Sequence, residues 1–381
     1  MPLQAGLKEL LVDALPRDFA FTFYHISTPP TKCAPLFSPP QGVKSERTYC
    51  ESHLLNVSIT PTNGEKSEKV LVLAIEIFVY TTKRLTTLFV SKADSTGYLS
   101  LLSLPRAHAS PLRSITSTFV SYLISHRQRP GVRFVVSLFA RAQAQYLFPN
   151  SVENKRKHVS TDRELVRWWC RVLDPILQEH TPEQHNGEDA PNTDEDRQQT
   201  TSQAYLIVPG EDSTASFLPP NVRADPILRK RWKHGHPLRE IAPYPTASPR
   251  CLIPHFPDDP KARFLDELDE ELPTSTGQAN DSPSKRGTGQ WKSVKTLEQF
   301  WETMAFRQEC SSGRLVGFIW IVLTPPNIMH DNDDDISSQQ TDTAPSTPSR
   351  RRKLDESTSL LGQATQSRNE HHAARSKEVE K

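Results

Sequence analysis

Residues 315–323 read LVGFIWIVL and residues 70–80 read VLVLAIEIFVY. The first run is apolar without a break, continuous enough for a strand buried on both faces, and the second is rich in β-branched and aromatic side chains, which favour a strand. Working outward, residues 54–60 precede the second run across the turn-rich segment PTNGEKSEK (61–69), which is a hairpin pattern. Residues 85–90 follow as a strand that ends at SKADSTGY, and residues 132–139 and 205–208 add two more. Helical spacing separates them. Leu112, Ile115, Phe119, Val120 and Leu123 share one face of a helix that starts after Ser110-Pro111. Thr161 and Glu164 form a capping-box pattern ahead of a stripe at Leu165, Trp168, Trp169, Val172, Leu173, Ile176 and Leu177, with Pro175 expected to bend the final turns. Thr296 and Gln299 repeat the pattern before Leu297, Phe300, Trp301 and Met304. Strands interleaved with helices fit one large α/β domain.

The chain has 381 residues, of which only 35% are hydrophobic and 32 are prolines, so a subset of it must build the core. Residues 181–203 and 272–289 are polar and without periodicity, and 325–381 carry an acidic cluster (Asp331, Asp333, Asp334, Asp335) and a basic one (Arg350, Arg351, Arg352, Lys353). These segments read as disordered, leaving one domain over 1–324. The start, MPLQAGLKELLVDALP, spaces Leu7, Leu10, Leu11 and Ala14 as a short amphipathic helix broken by charges, not as a signal peptide. Nowhere do about 18 apolar residues run together, so no membrane span is expected.

With 46 basic and 45 acidic residues the net charge is +1, and the chain is no nucleic-acid polyelectrolyte. The five cysteines are scattered, with no spacing suited to a metal, so none is expected and a reducing compartment fits. Phosphate-cradling glycine loops and the GxSxG nucleophile pattern are absent.

Three constellations stand out. FPDDPKARF (256–264) sets Asp258 and Asp259 on a turn stiffened by Pro257 and Pro260, followed by Lys261 and Arg263. Neighbouring carboxylates raise one another's pKa while the following cations lower it, a balance found where protons move and also in a plain solvated turn. FVSKADSTGY (89–98) places Asp94 where a strand meets a glycine turn, ready to pair with a distant cation or to cap the next segment. Lys155, Arg156, Lys157 and His158 precede the Thr161 helix, where a basic cluster suits phosphate oxygens or simply faces solvent. Trp168 and Trp169 fit core packing, or the wall of a dry channel.

Together with SLFARAQAQYLFPNS, KHV, ELVRWWCRVLD, VPGED and FWETMAFRQE, these segments resemble, in order and over roughly residues 70–320, the fungal-specific histone H3 acetyltransferases, whose core is similar to that of the metazoan CBP-type enzymes. That resemblance implies a mixed α/β fold, a central mixed sheet flanked by helices, with acetyl-CoA as co-substrate, histone H3-H4 as substrate, histone chaperones as partners and a nuclear location. It implies Asp259 as the catalytic carboxylate with Asp258 beside it, Lys261 as a buried autoacetylated lysine and Asp94 as its charge partner. Trp169 would line the substrate-lysine channel beside Tyr146. Ala93, Phe139, Arg141, Gln143, His158 and Trp168 fall in the cofactor groove, with Arg113 toward the pyrophosphate. Some family members carry a long basic insertion where 126–131 here make a short link, and a further helix with a basic tail after the last strand.

The resulting expectation is acetyl transfer to H3, at its core αN-helix lysine and possible tail sites, in chromatin assembly and the DNA-damage response. Alternatives are a histone or chaperone adaptor of the same fold, and a nucleic-acid binder using Arg229, Lys230, Arg231, Trp232 and Lys233.

Overall fold

The computed structural model describes residues 5–61, 68–102, 104, 110–180, 200–272, 289–307 and 314–328. Along the chain come α1 (Leu7–Ala14), β1 (Phe21–Ser27), β2 (Thr31–Cys33), β3 (Thr48–Ile59), β4 (Val70–Thr81), β5 (Leu85–Ser95), α2 (Pro111–Arg127), β6 (Arg133–Ala140), α3 (Asp162–Glu179) and β7 (Thr201–Ile207). Four short helices, α4 (Pro220–Ala224), α5 (Pro226–Lys230), α6 (Leu238–Ile241) and α7 (Pro249–Leu252), surround β8 (Trp232–His234), which lies between α5 and α6. The helices α8 (Ala262–Glu270) and α9 (Leu297–Phe306) precede β9 (Gly317–Thr324).

The strands form one sheet in the order β1-β3-β4-β5-β6-β9-β7-β8, with β2 paired to the outer edge of β3. β5–β6 and β7–β8 are parallel and the remaining pairs antiparallel, so the sheet is mixed, as expected. Period-two alternation sorts its side chains into two cores. On β9, Ile319, Ile321 and Leu323 face one core while Phe318, Trp320 and Val322 face the other. The first core takes Leu11 of α1, Ile115, Phe119, Val120 and Leu123 of α2, and Val166, Trp169, Val172, Leu173, Ile176 and Leu177 of α3. Leu238 of α6, Leu252 of α7, Phe264, Leu265 and Leu268 of α8, and Leu297, Phe300, Trp301 and Met304 of α9 fill the second. Burying each such side chain contributes about 1.5–3 kcal/mol, so the two layers clamp the sheet from both sides.

Both capping boxes form: Thr161 and Glu164 exchange side-chain to backbone bonds at α3, as do Thr296 and Gln299 at α9. α3 runs on past Pro175 to Glu179, with Ile176 and Leu177 beyond it fully buried. Other sequence expectations need correction. The strand expected to stop at Val90 continues through Ser95, since pairing with β4 resumes after a bulge at Glu76/Ile77 and sets Ala93 opposite Ile75 and Asp94 opposite Ala74. Of the segment expected to be disordered at 181–203, Thr201–Gln203 belongs to β7, where pairing with Val322, Leu323 and Thr324 overrides its polar composition. Residues 181–199, 273–288 and 329–381 lie outside the described residues. Strands β1, β2 and β8 and helices α4 to α8 were not anticipated.

Gly317, at the start of β9, lies against α3 so closely that an added Cβ would fall 2.7 Å from a Val166 methyl. Gly317→Ala is expected to cost about 1–3 kcal/mol in denaturant titration. The cost of Gly317→Ala with Val166→Ala should be clearly less than the sum of the two; strict additivity would show that this approach does not limit the packing.

Candidate active site

Where β5 and β6 end side by side, the chain opens a cavity of about 380 Å³ with a largely apolar lining. Ligand sites favour such strand ends in mixed sheets. Its walls come from the end of β5, Phe139 and Arg141 at the end of β6, the loop carrying Tyr146, Arg156 and His158, and the first turns of α3 with Trp168 and Trp169. The indoles meet edge to face, 4.9 Å between centroids at 81°, and Trp169 is 4% exposed. Asp162 fixes the local frame: its carboxylate accepts from Ala142 N (2.9 Å) and Leu315 N (3.0 Å), drawing the end of β6 and the approach to β9 onto the N-terminus of α3.

The loop is held by a buried ion pair. Asp94 Oδ1 accepts from Lys157 Nζ at 2.8 Å, with the two side chains 6% and 4% exposed. Asp94 Oδ2 accepts from the backbone amides of Tyr146 (2.8 Å), Leu147 (3.0 Å) and Phe148 (3.1 Å). Burial alone would raise the Asp94 pKa, but Lys157 and the three amides outweigh it and hold the carboxyl below its usual range. Gly97 makes this closure possible. At φ +88 a Cβ there would sit 2.5 Å from Lys157 backbone atoms. Tyr146 Oη donates to Arg141 O (2.7 Å), joining the loop to β6.

Of the expected site residues, Ala93, Asp94, Phe139, Arg141, Tyr146, His158, Trp168 and Trp169 line this cavity. Gln143 is exposed, and Arg113 sits beside the lining residue Leu112 without lining the cavity itself. Asp258, Asp259 and Lys261 of the acidic turn are not among the residues that line the cavity. Asp259 and Lys261 pair with each other, their side chains 2% and 3% exposed, with Lys261 Nζ 4.5 Å from the Phe318 ring centroid in the second core. Phe256 and Phe264 anchor the turn there, Phe256 stacked on Phe89 at 4.2 Å and Phe264 on Phe300 at 5.3 Å. Asp258, in the left-handed region at φ 58, points outward with a 64% exposed side chain. The expected pairing of Lys261 with Asp94 is therefore corrected: Lys261 pairs with Asp259, while Lys157 and three amides occupy Asp94.

One link joins turn and cavity. Lys92, on the cavity wall, donates to Asp258 Oδ2 (2.8 Å) and Glu76 Oε2 (3.2 Å). Its burial opposes the charge, but the two carboxylates outweigh that and raise its pKa. Sequence reasoning missed Lys92, Ser91, Arg156 as a cavity residue, and the inward turn of Lys157. Only the basic cluster at 155–158 signalled part of this. Trp232, the aromatic of the nucleic-acid reading, is 7% exposed and donates to Asp174 (3.1 Å), so it offers no stacking surface. Among the described residues no group of three or more His, Cys, Asp or Glu is placed to hold a metal, and no helix is long and apolar enough to cross a membrane.

The family described as histone acetyltransferase KAT11-type domain matches residues 7–133 and 129–378. The chain belongs to that family. The two matched segments meet in the short α2–β6 link. Similar proteins include two named histone acetyltransferase rtt109. The one from Aspergillus flavus is 50% identical over 332 residues, 86% of this chain and 58% of that protein. The one from Schizosaccharomyces pombe is 33% identical over 305 residues, 79% of this chain and 67% of that protein. The crystal structure of Rtt109 from Aspergillus fumigatus is similar with a TM-score of 0.75 at 50% identity, covering 85% of this chain and 80% of that one. The chain thus spans 58% of the length of its Aspergillus flavus relative.

The Asp94 pairing carries a pH signature. A depressed folded-state pKa gives stability that is present above the unfolded value of about 3.9 and is lost as pH falls through the folded value. Acid unfolding of the wild-type chain should therefore contain a component below about pH 4 that Asp94→Asn lacks. Lys157→Met, which strands the carboxylate, should cost about 3–5 kcal/mol near neutrality. A Lys157→Met chain as stable as wild type would refute the pair's structural weight.

Proposed function

We propose that this chain is a histone lysine acetyltransferase that uses acetyl-CoA, acts on histone H3 within H3-H4, with its core αN-helix lysine as target, works with a histone chaperone and resides in the nucleus. What carries the reading is the apolar cavity walled by Trp168 and Trp169 and rimmed by cations, in a KAT11-family chain.

The cavity suits the proposed co-substrate. Arg141 Nε is buried with no hydrogen-bond partner among the described residues, a donor suited to an anionic oxygen. Arg141, Arg156 and His158 would hold phosphate, and Ala93, Phe139 and Trp168 the apolar arm. When bound, acetyl-CoA supplies the activated acetyl group. The protein's part is to bring an uncharged lysine amine to it. Holding an amine of pKa about 10.4 neutral near pH 7.4 costs about 4 kcal/mol. Burial of the lysine chain against Trp169 and Tyr146 would disfavour its cation and offset part of that cost.

Asp94 is then a positioning residue, acting through the loop that carries Tyr146, Arg156 and His158. Asp258 and Asp259 act from the neighbouring turn. Asp259 does so by fixing Lys261, the proposed autoacetylation site, and Asp258 through Lys92 at the cavity wall. Acetylating Lys261 would remove the cation beside Asp259 and leave a buried carboxylate without its ion pair, which makes that turn sensitive to the modification.

Mass spectrometry after incubation with acetyl-CoA and H3-H4, with and without a chaperone, should find acetyl groups on H3 and on Lys261. Trp169→Ala should lower kcat at least about 100-fold while Arg141→Ala raises KM for acetyl-CoA about tenfold, ~1.4 kcal/mol. Wild-type kinetics in both variants would remove this cavity from the mechanism. Binding of H3-H4 without turnover would favour the adaptor.

A further inference from the structure

VPGED (208–212) and FWETMAF (300–306) carry part of the family resemblance, yet neither lines the catalytic cavity. They meet instead in a second cleft of about 450 Å³, between the turn after β7, the end of β8 and one face of α9. Four carboxylates line it, Glu211, Asp212, Glu298 and Glu302, and no lysine or arginine among the described residues does. That is a strong local imbalance in a chain whose net charge is +1. We propose that this cleft holds a basic stretch of the substrate polypeptide, a few residues along the chain from the target lysine. The inference rests on the acetyltransferase reading.

Two of the carboxylates are already engaged. Arg163 pairs with Glu211, and Glu298 is held as a carboxylate chiefly by its own backbone amide, the Thr296 hydroxyl and Arg239. Asp212 and Glu302 are exposed and have no hydrogen bond or ion pair among the described residues. Glu298 and Glu302 stand four residues apart on α9, a like-charge arrangement that weakens a helix and that a bound cation would relieve. Charge alone would suit any cation, but two polar atoms of the lining are more specific. Trp301 is 6% exposed, and its Nε1 is buried with no hydrogen-bond partner among the described residues. His236, stacked on Trp301 at 5.7 Å, also lines the cleft, and its Nδ1 is likewise buried without a partner. An indole N–H can only donate, so a metal ion or a bare amine leaves it unsatisfied, whereas a peptide carbonyl oxygen accepts from it. A neutral imidazole nitrogen can take the neighbouring amide N–H. Phe306, 83% exposed at the end of α9, offers an open ring face to a guanidinium. Carboxylates for cationic side chains, an orphaned pair for a peptide unit and a ring for arginine together describe a basic peptide.

Position ties the cleft to the chemistry. Ile207 on its wall pairs with Phe318 of β9, and Phe318 pairs with Phe139 on the wall of the catalytic cavity. Two strand spacings of about 4.8 Å therefore separate the two walls, and roughly 10 Å of extended chain, about three residues, spans them. Reaching past each wall into its opening adds up to about three residues more at ~3.3 Å each. A polypeptide whose lysine enters the cavity can thus lay basic residues, about three to six positions away, in the cleft. Electrostatic complementarity of this kind selects among partners and speeds their encounter more than it adds raw affinity.

Fluorescence anisotropy of the full chain at an ionic strength of about 0.15 M tests the binding. The probes are a short labelled peptide alternating arginine with glycine, its glutamate counterpart, and spermine as an unlabelled competitor. The arginine peptide should bind, at least about tenfold more weakly to Asp212→Lys/Glu302→Lys and undiminished to Asp13→Lys/Asp18→Lys, which makes the same charge change elsewhere. All four positions are exposed, so both variants should fold, which circular dichroism checks. Phe306→Ala should also weaken the arginine peptide. Kinetics on H3-H4 with a chaperone then places the site. Asp212→Lys/Glu302→Lys should raise KM for H3-H4 at least about tenfold with kcat kept. It should cost little more once the histone's basic residues about three to six positions from the acetylated lysine are changed to glutamine. No binding of the arginine peptide, equal loss in both charge-reversed pairs, displacement by spermine at the peptide's own concentration, or strict additivity of enzyme and histone changes would each overturn the proposal. A wild-type chain that binds the arginine peptide yet acetylates no lysine of H3-H4 would fail the acetyltransferase reading instead. The placement beside a target lysine would go with it, leaving a basic-peptide site.

Discussion

The two-sided burial of β6 and β9 is the constraint from which the rest follows. The large apolar residues of these strands must each enter one of two cores, so a slip of one position would exchange the two sets of side chains and defeat both layers. Ile319, Ile321 and Leu323 cannot change places with Phe318, Trp320 and Val322 without moving α3 or α9. A register held this firmly also fixes where the strands stop. Ala140 and Gly317 are paired at that stop, and the Asp162 carboxylate collects the backbone just beyond both. The floor of the cavity is therefore set by strand packing, well before any functional side chain is considered.

The walls depend on a different interaction. The loop between β6 and α3 has little regular structure among its described residues, and a loop of that kind would ordinarily sample many arrangements. Asp94 replaces the missing regularity with one carboxylate that satisfies three successive amides and an ammonium. The cost of burying a charge is met by these four donors and by the Ser95 amide, which also donates to Asp94 Oδ1 (2.8 Å), and that is the condition under which a buried ion pair is retained. Gly97 is required at the same place, because the turn after β5 passes against the Lys157 backbone too closely for any side chain.

Much of this was legible in the sequence, and what was not has identifiable causes. The long two-faced strands, both capping boxes and the α2 stripe were readable because periodicity and cap chemistry are local. The end of β5 was misjudged because SKAD has weak strand propensity, and only its partner β4, across a bulge, keeps it extended. Family resemblance gathered the cavity residues well, since the motifs that line it are contiguous. It could not say that Lys157, in the middle of a basic run, turns inward. Nor could it say that Asp259 and Lys261 would choose each other over Asp94. Those outcomes depend on which charges meet across 63 residues in one case and two in the other, a matter of tertiary distance that no local pattern encodes.

On the proposed reading, the separation between acidic turn and cavity bears on how the amine loses its proton. Asp94 lines the cavity, yet its charge is so well stabilised that it is a poor acceptor at neutral pH. Lys92, the other charged group of β5 at the wall, is held as a cation by Glu76 and Asp258. Neither group can serve as a base poised near neutrality, the condition under which general-base catalysis is most effective. The apolar lining offers the alternative route. Transferring a lysine chain into surroundings of indole and phenol lowers an ammonium pKa by as much as about 3–5 units when burial is complete, which matches the gap to be closed. The cation at Lys92 adds to the same effect, because a second positive charge at the wall disfavours the ammonium and not the amine. On that reading, desolvation between the tandem indoles and a like charge held on β5 would together do what Asp94, the carboxylate lining this cavity, is not free to do.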